Sequence, residues 1–217
     1  MKQRLIIMTM GLFLLFGCEQ KNSLTKVEME LINNVNFEKS LLIELKDLTQ
    51  SDLKQLPAID QETGEILNDK LYDGLYSEVA EKKAVKIVEK LKNKFRENGY
   101  LIFVFDVGYD KKSVAVIKGT NDLDILRYSR TDGINYGLTN EDIVEKISEW
   151  KTQYGLIVIG CGRDWLEVEF DRLPTDLDTF AKEVYEFCPD VVDQGVGTIE
   201  VLKEAIKGMN GIWLWWD

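Results

Sequence analysis

Histidine is absent from all 217 residues, and cysteine and proline occur only three times each. Without imidazole there is no Ser-His-Asp triad, no Cys-His pair, no zinc site of the His-rich kind and no histidine pH switch. Any acid–base chemistry must use carboxylates, Lys, Tyr or Cys. Two of the cysteines, Cys161 and Cys188, lie far from the N-terminal Cys18. They could pair in an oxidising compartment, but two thiols are not a disulfide framework. Positive charge is also short, with 27 Lys and Arg against 38 Asp and Glu and a net charge of −11. That balance lacks the basic footprint nucleic acid needs. An acidic surface suits solubility, cation binding or a basic protein partner.

The chain opens on Lys2 and Arg4, followed by an apolar run from Leu5 to Phe16 and then Gly17-Cys18. A basic start and an apolar run of this length read as an export signal, too short to span a bilayer. Leu15-Phe16-Gly17-Cys18 resembles the bacterial lipobox. The resemblance implies a signal peptide over residues 1–17 and lipidation of Cys18, with the protein anchored to a bacterial membrane at the cell envelope, on its exported face. The other reading is an uncleaved N-terminal anchor in which Cys18 is incidental. Each buried acyl methylene contributes roughly 0.8 kcal/mol. Loss of Lys2 and Arg4 leaves 25 basic residues against 38 acidic ones, so the acyl chains rather than the protein face must hold the membrane.

Residues 18–36 start polar and read as a tether. Residues 37–74 read as an N-terminal extension: Leu41, Leu42, Leu45, Leu48 and Leu53 suggest one amphipathic helix or two short ones, and Pro57 to Gly74 is turn-rich and reads as loop. Residues 75–217 suit one compact domain. Within it, Ala84, Val88, Leu91 and Phe95 line a helix closed by Asn98-Gly99. Ile143, Ile147, Trp150 and Tyr154 line a second, opened by Thr139-Asn140-Glu141-Asp142. Leu177, Phe180, Ala181, Val184 and Cys188 line a third, stopped by Pro189. Ile199, Leu202, Ala205 and Ile206 line a fourth, with Thr198 as N-cap. Apolar strands are expected at Leu101–Phe105, Val114–Ile117, Leu156–Ile159 and Ile212–Trp216, with an alternating strand around Leu166, Val168 and Phe170 and a further strand over 124–130. Strands apolar on both faces require cover on both, or two packed sheets.

KFRENGYLIFVFDVGYDKKSVAVI and EWKTQYGLIVIGCGRDWLEVEF share the order helix, Gly, apolar strand, turn, strand. The second copy extends to β(123–130)–α(140–153)–β(156–161)–β(165–171)–α(176–187)–β(212–216). That is the order of a ferredoxin-like split βαβ unit with an inserted helix, preceded by an incomplete αββ copy. The expected class is α+β with mixed sheets.

FCPDVVDQGVGT (187–198), the terminal WLWWD, TDGINY (131–136) and RDWLE (163–167) resemble the bacterial domain-of-unknown-function family numbered 4253, from about Leu75 to the C-terminus. The resemblance brings no activity with it. In a ferredoxin-like unit TDGINY, GCGRD and FCPDVVDQG fall at one edge, and Asp217 joins them if the inserted helix reverses the chain. That edge gathers Asp132, Asn135, Asp164, Glu167, Cys188, Asp190, Asp193, Gln194 and Asp217 as candidate binding residues.

No cofactor is called for. Oxygen donors without histidine suit Ca²⁺ or Mg²⁺, yet an EF-hand counted from Asp132 would place Ile134 third and Ile143 twelfth. The alternative is that these Asp and Asn residues cap helices and close turns. Gly195-Val196-Gly197-Thr198 precedes a helix, where N–H groups hold anions, but Asp190 and Asp193 would repel a phosphate. Cys188 suits a small buried hydrophobe. Trp213, Trp215 and Trp216 suit either core packing or stacking on sugars.

Two functions follow from this pattern. One is a membrane-tethered, non-catalytic binding module whose acidic loop edge contacts a cation or a basic protein. The other is a hydrolase of an envelope glycan, pairing Asp164 or Glu167 with Asp190 or Asp193 as two carboxyls roughly 5–10 Å apart in a cleft.

Overall fold

The structure is a computed structural model that describes residues 24–107 and 112–217. Residues 1–17 and Cys18, on which the export and lipidation expectations fall, lie outside the described residues. The chain forms α1 (Lys26–Asn34), α2 (Lys39–Thr49), β1 (Lys54–Ile59), β2 (Ile66–Glu78), α3 (Glu81–Glu97), β3 (Tyr100–Asp106) and β4 (Lys112–Lys118). There follow α4 (Leu123–Ser129), α5 (Asn140–Tyr154), β5 (Leu156–Cys161), β6 (Trp165–Phe170), α6 (Leu177–Phe187), α7 (Ile199–Met209) and β7 (Gly211–Trp215). The class is α+β with one mixed sheet, ordered β1-β2-β4-β3-β5-β6-β7. Its single parallel contact joins β3 to β5 at Val104–Gly160 and Phe105–Cys161.

The two similar stretches of sequence become α3-β3-β4 and α5-β5-β6. Their first strands lie side by side in parallel, their second strands lie outside them, and their helices lie on opposite faces. A 180° rotation about an axis along the strands, between β3 and β5, relates the two. β3, β4 and β5 are apolar on both faces, whereas β6 carries Glu167 and Glu169 on one, and each face of the sheet has its own core. Leu101, Phe103 and Phe105 face α4 to α7, where Ile143, Trp150, Phe180 and Leu202 are buried. Ile102, Val104 and Val116 face α1 to α3, where Leu42, Leu45, Val88 and Phe95 are buried.

The ferredoxin-like topology does not form, because residues 124–130 are not a strand. They are α4, whose start is fixed by the Asn121 side chain accepting the Leu123 N–H at 3.3 Å. Ser129 Oγ donates back to the Ile125 carbonyl at 2.9 Å, a contact one helical turn long. Arg130 ends it in the left-handed region at φ 53. A split βαβ unit would place that strand between β6 and β7, which instead pair directly. The expected loop over 57–74 is another correction. It forms a hairpin around an Asp60 turn, in which Asp60 Oδ1 accepts the N–H groups of Glu62 and Thr63. Pro57 is tolerated because β1 is an edge strand and is bulged on both sides of it. The described part of the expected tether, residues 24–36, also holds structure. Thr25 and Glu28 form a reciprocal capping box, and α1 follows it.

Among the described residues no helix is long and apolar enough to cross a membrane.

Candidate functional site

The three stretches TDGINY, GCGRD and FCPDVVDQG meet at one end of the sheet, joined by backbone and side-chain hydrogen bonds. The Asp132 N–H donates to the Arg163 carbonyl at 2.7 Å, and Thr131 Oγ1 to the Gly162 carbonyl at 2.7 Å. The Trp216 N–H donates to the Asp164 carbonyl at 2.9 Å, extending the β6–β7 ladder to the C-terminal residues. α7 reverses the chain after a single π turn at Val191–Val196, so β7 climbs and brings Asp217 to this end.

Asp190 holds the edge together. It is 2% exposed. Its carboxylate accepts hydrogen bonds from the Tyr136 hydroxyl, from Gln194 Nε2 at 2.8 Å and from the Asp217 N–H at 2.8 Å. Burial pushes the carboxyl up, but the three donors outweigh burial and hold it below the usual aspartate range. The same contact pushes the Tyr136 phenol up to about 12. Asp190 is therefore a latch joining the Gly133 turn, the π turn and the chain end. A carboxylate so fully engaged is a poor general base.

Around the latch lie exposed groups. Ile134 is 71% exposed and Tyr136 41%. Their turn is closed by reciprocal hydrogen bonds between Gly133 and Leu138, and Gly133 is required there because a Cβ would stand 2.9 Å from the Trp216 ring. Asn135, Asp164, Asp193, Gln194 and Asp217 are exposed and Asp132 is partly so. Asp193 accepts from the Tyr185 hydroxyl at 3.2 Å. Thr198, not an aspartate, caps α7 by accepting the Val201 N–H.

Glu167 is not part of this edge. It lies in β6 on the opposite face of the sheet from Leu166 and Val168, directed towards α3, and burial raises its carboxyl with Glu89 and Glu81 adding to the effect. The pairing of Glu167 with Asp190 or Asp193 is therefore excluded by the pleat. Cys188 is buried and donates to the Trp215 carbonyl at 2.9 Å. Cys161 is buried against Ser129 Oγ. Both thiols are free and pushed up to about 12, first by burial, so neither is an activated nucleophile. Cys161 pairs with Leu166, which pairs with Leu214. Two strand spacings, about 10 Å, thus separate Cys161 from the β7 end beside Cys188.

Among the described residues no group of three or more Cys, Asp or Glu is placed to hold a metal ion. A cleft of about 900 Å³ lies elsewhere, between α4 and α5, and mixes Arg127 and Arg130 with Glu141, Glu145 and Glu149. Sequence reasoning missed Tyr136 as the latch donor. The signal available was a tyrosine in a Gly-bounded turn that the topology brings opposite a Pro-Asp pair.

Residues 113–217, just under half of the chain, match the model of the Domain of unknown function (DUF4253). The match covers all the stretches that build the edge and leaves α1 to β3 outside it. No curated protein and no solved structure gives a significant match to the chain.

Proposed function

We propose that this protein, whose residues 113–217 carry that domain, is an exported lipoprotein tethered to a bacterial membrane through Cys18 and acting as a non-catalytic binding module for a basic protein partner. The observation that carries the reading is the edge itself: two exposed apolar side chains, Ile134 and Tyr136, on a turn pinned by Asp190 and surrounded by Asp132, Asp164, Asp193 and Asp217. An apolar centre with a mostly acidic rim, Arg163 being the exposed exception, is the anatomy of a partner surface, and the rim selects for opposite charge and speeds encounter. The glycan-hydrolase alternative has less support. Asp190 is saturated with donors and Glu167 lies on the other face, which leaves Asp164 with Asp193 as its carboxyls, and both are exposed.

The tether and the edge are tested separately. Cys18→Ala should abolish lipid labelling and leave the signal uncleaved; labelling and processing like the wild type would sink the lipoprotein reading. For the edge, the full chain in detergent should capture a partner from solubilised envelope, with capture falling about tenfold or more in the Asp164→Lys, Asp193→Lys double variant. Both positions are exposed, so the melting temperature should stay within a few degrees. Unchanged capture would remove the acidic edge from the interface.

A further inference from the structure

On the sheet face covered by α1, α2 and α3, the helices lie over β1 to β5, with α3 on β3, β4 and β5. On this face β6 and β7 present Trp165, Glu167, Glu169, Trp213 and Trp215. Trp213 is 46% exposed, a large value for the middle residue of an apolar strand. Its ring stands 4.7 Å, centroid to centroid, from that of Trp215. Glu167 is the cross-strand neighbour of Trp213 and makes no hydrogen bond or ion pair among the described residues. Its carboxyl is raised by burial and by Glu89 and Glu81, with Lys112 opposing, and its neighbour Glu169 on the same face is already paired with Lys92.

The backbone of β7 is open on the same side. β7 ends the sheet order. The Phe170 N–H to Asn210 carbonyl and Trp216 N–H to Asp164 carbonyl bonds bracket its ladder with β6. Alternation makes Val168–Ile212 and Leu166–Leu214 the hydrogen-bonded pairs, so Gly211, Trp213 and Trp215 turn their N–H and C=O groups outward. The Trp215 carbonyl is taken by Cys188 Sγ. The outward N–H and C=O of Trp213 have no partner among the described residues. Edge strands are ordinarily protected by Lys, Pro or a bulge. β1, at the other edge, has all three in Lys54, Pro57 and its register shifts, whereas Gly-Ile-Trp-Leu-Trp has none.

We infer that the outer edge of β7 is a docking site for an extended basic segment of a partner protein, which adds an eighth strand and sets a Lys or Arg side chain over Trp213 towards Glu167. Main-chain pairing supplies affinity and alternate side chains supply selection in strand addition of this kind. Tryptophan is the best aromatic partner for a cation, and the flanking carboxylate needs a positive charge. A second copy of this chain would instead set two acidic faces side by side. The site stands without the loop-edge reading above, since it uses another strand face and other residues.

The test uses the full chain, ¹⁵N-labelled, with an octapeptide of alternating lysine and valine as the probe and its glutamate–valine counterpart as control. The lysine peptide should slow exchange of the Trp213 amide about tenfold or more and shift its indole N–H, and the glutamate peptide should do neither. Trp213→Lys should remove the binding while leaving the β6 ladder amides of Ile212 and Leu214 protected, and Glu167→Gln should weaken it several-fold. No protection by the lysine peptide at millimolar concentration, or equal protection by both peptides, overturns the proposal. Protection of Trp213 that rises with protein concentration in the absence of peptide also overturns it and assigns the edge to a second copy.

Discussion

Replacing Glu28 by alanine is expected to cost ~3–5 kcal/mol of folding stability, the penalty typical of removing one member of a buried ion pair. Glu28 is 3% exposed and Lys46 is 6% exposed. Glu28 Oε1 accepts from Lys46 Nζ and from the Leu53 N–H at 2.9 Å, and Oε2 accepts from the Thr25 N–H at 2.8 Å. One carboxylate thus joins the start of α1, the end of α2 and the entry to β1. Alanine would leave the Lys46 ammonium buried, with the exposed Asp52 at 3.5 Å as its remaining counter-ion. The double variant Glu28→Ala, Lys46→Met should recover part of the loss, because the stranded charge is then gone.

The same group makes stability depend on pH. Burial raises the Glu28 carboxyl, but Leu53, Lys46 and Thr25 overcome that and hold it down at about 2, against an ordinary value of 4.5. A carboxyl depressed in the folded state contributes its stability fully above the unfolded value and loses it as pH falls from about 4.5 towards 2. Urea unfolding followed from pH 7 to pH 2 should therefore show a steeper acid limb in the wild type than in Glu28→Ala. Parallel limbs would mean that Glu28 is not held in its charged form by folding.

This pair also marks where the sequence was hard to read. A Thr three residues before a Glu is a capping signal, but the segment begins polar and a tether and an amphipathic helix share that composition. What allows Glu28 of α1 to be buried as a charge is a lysine eighteen residues away, a long-range fact that no local window contains. The same holds for α4: Leu-Asp-Ile-Leu-Arg-Tyr-Ser can alternate as a strand or wind as a helix. The choice falls to Asn121, Asp122 and the core face waiting for Leu123, Ile125 and Leu126. Asp122 shows the depth of that anchoring, accepting from the Val158 N–H at 3.2 Å and pairing with Arg96 and Lys151. Hairpin β1–β2 was hidden by Pro57, Gly64 and Gly74, which read as breakers. Gly74 is there because a Cβ would meet the Val116 carbonyl at 2.9 Å. By contrast, the long helices α3 and α5 and the doubly apolar strands were legible, because burial on a whole face imposes a period that survives in sequence.

The edge was legible for a different reason. Its convergence needs only that β5, α6 and β7 all run upward and that β6 and α7 run downward, which the alternation of elements dictates whether or not residues 124–130 form a strand. The roles within it were not legible, since Asp190 and Asp193 are both aspartates in one short loop and differ only in what faces them.

That difference gives the second large effect. Asp190→Ala is expected to cost about 1.5–3 kcal/mol, the range for hydrogen bonds to a charged group, whereas Asp193→Asn should stay within about 0.5 kcal/mol. The Asp190 carboxyl is depressed when folded, so its contribution is complete at neutral pH and is lost as pH falls through that depressed value. Thermal unfolding of both variants at pH 7 and in acid checks the assignment: the Asp190→Ala deficit should shrink in acid, and equal stability of the two variants at pH 7 would refute the latch. Capture of a basic partner should separate them in the opposite sense. Asp193→Asn should lower it with the fold intact, because an exposed rim charge is lost. Asp190→Ala should lower it through Ile134 and Tyr136, whose turn is released when the Tyr136 hydroxyl loses its acceptor, so Tyr136→Phe in the wild-type background should reproduce that loss of capture without removing any charge from the rim.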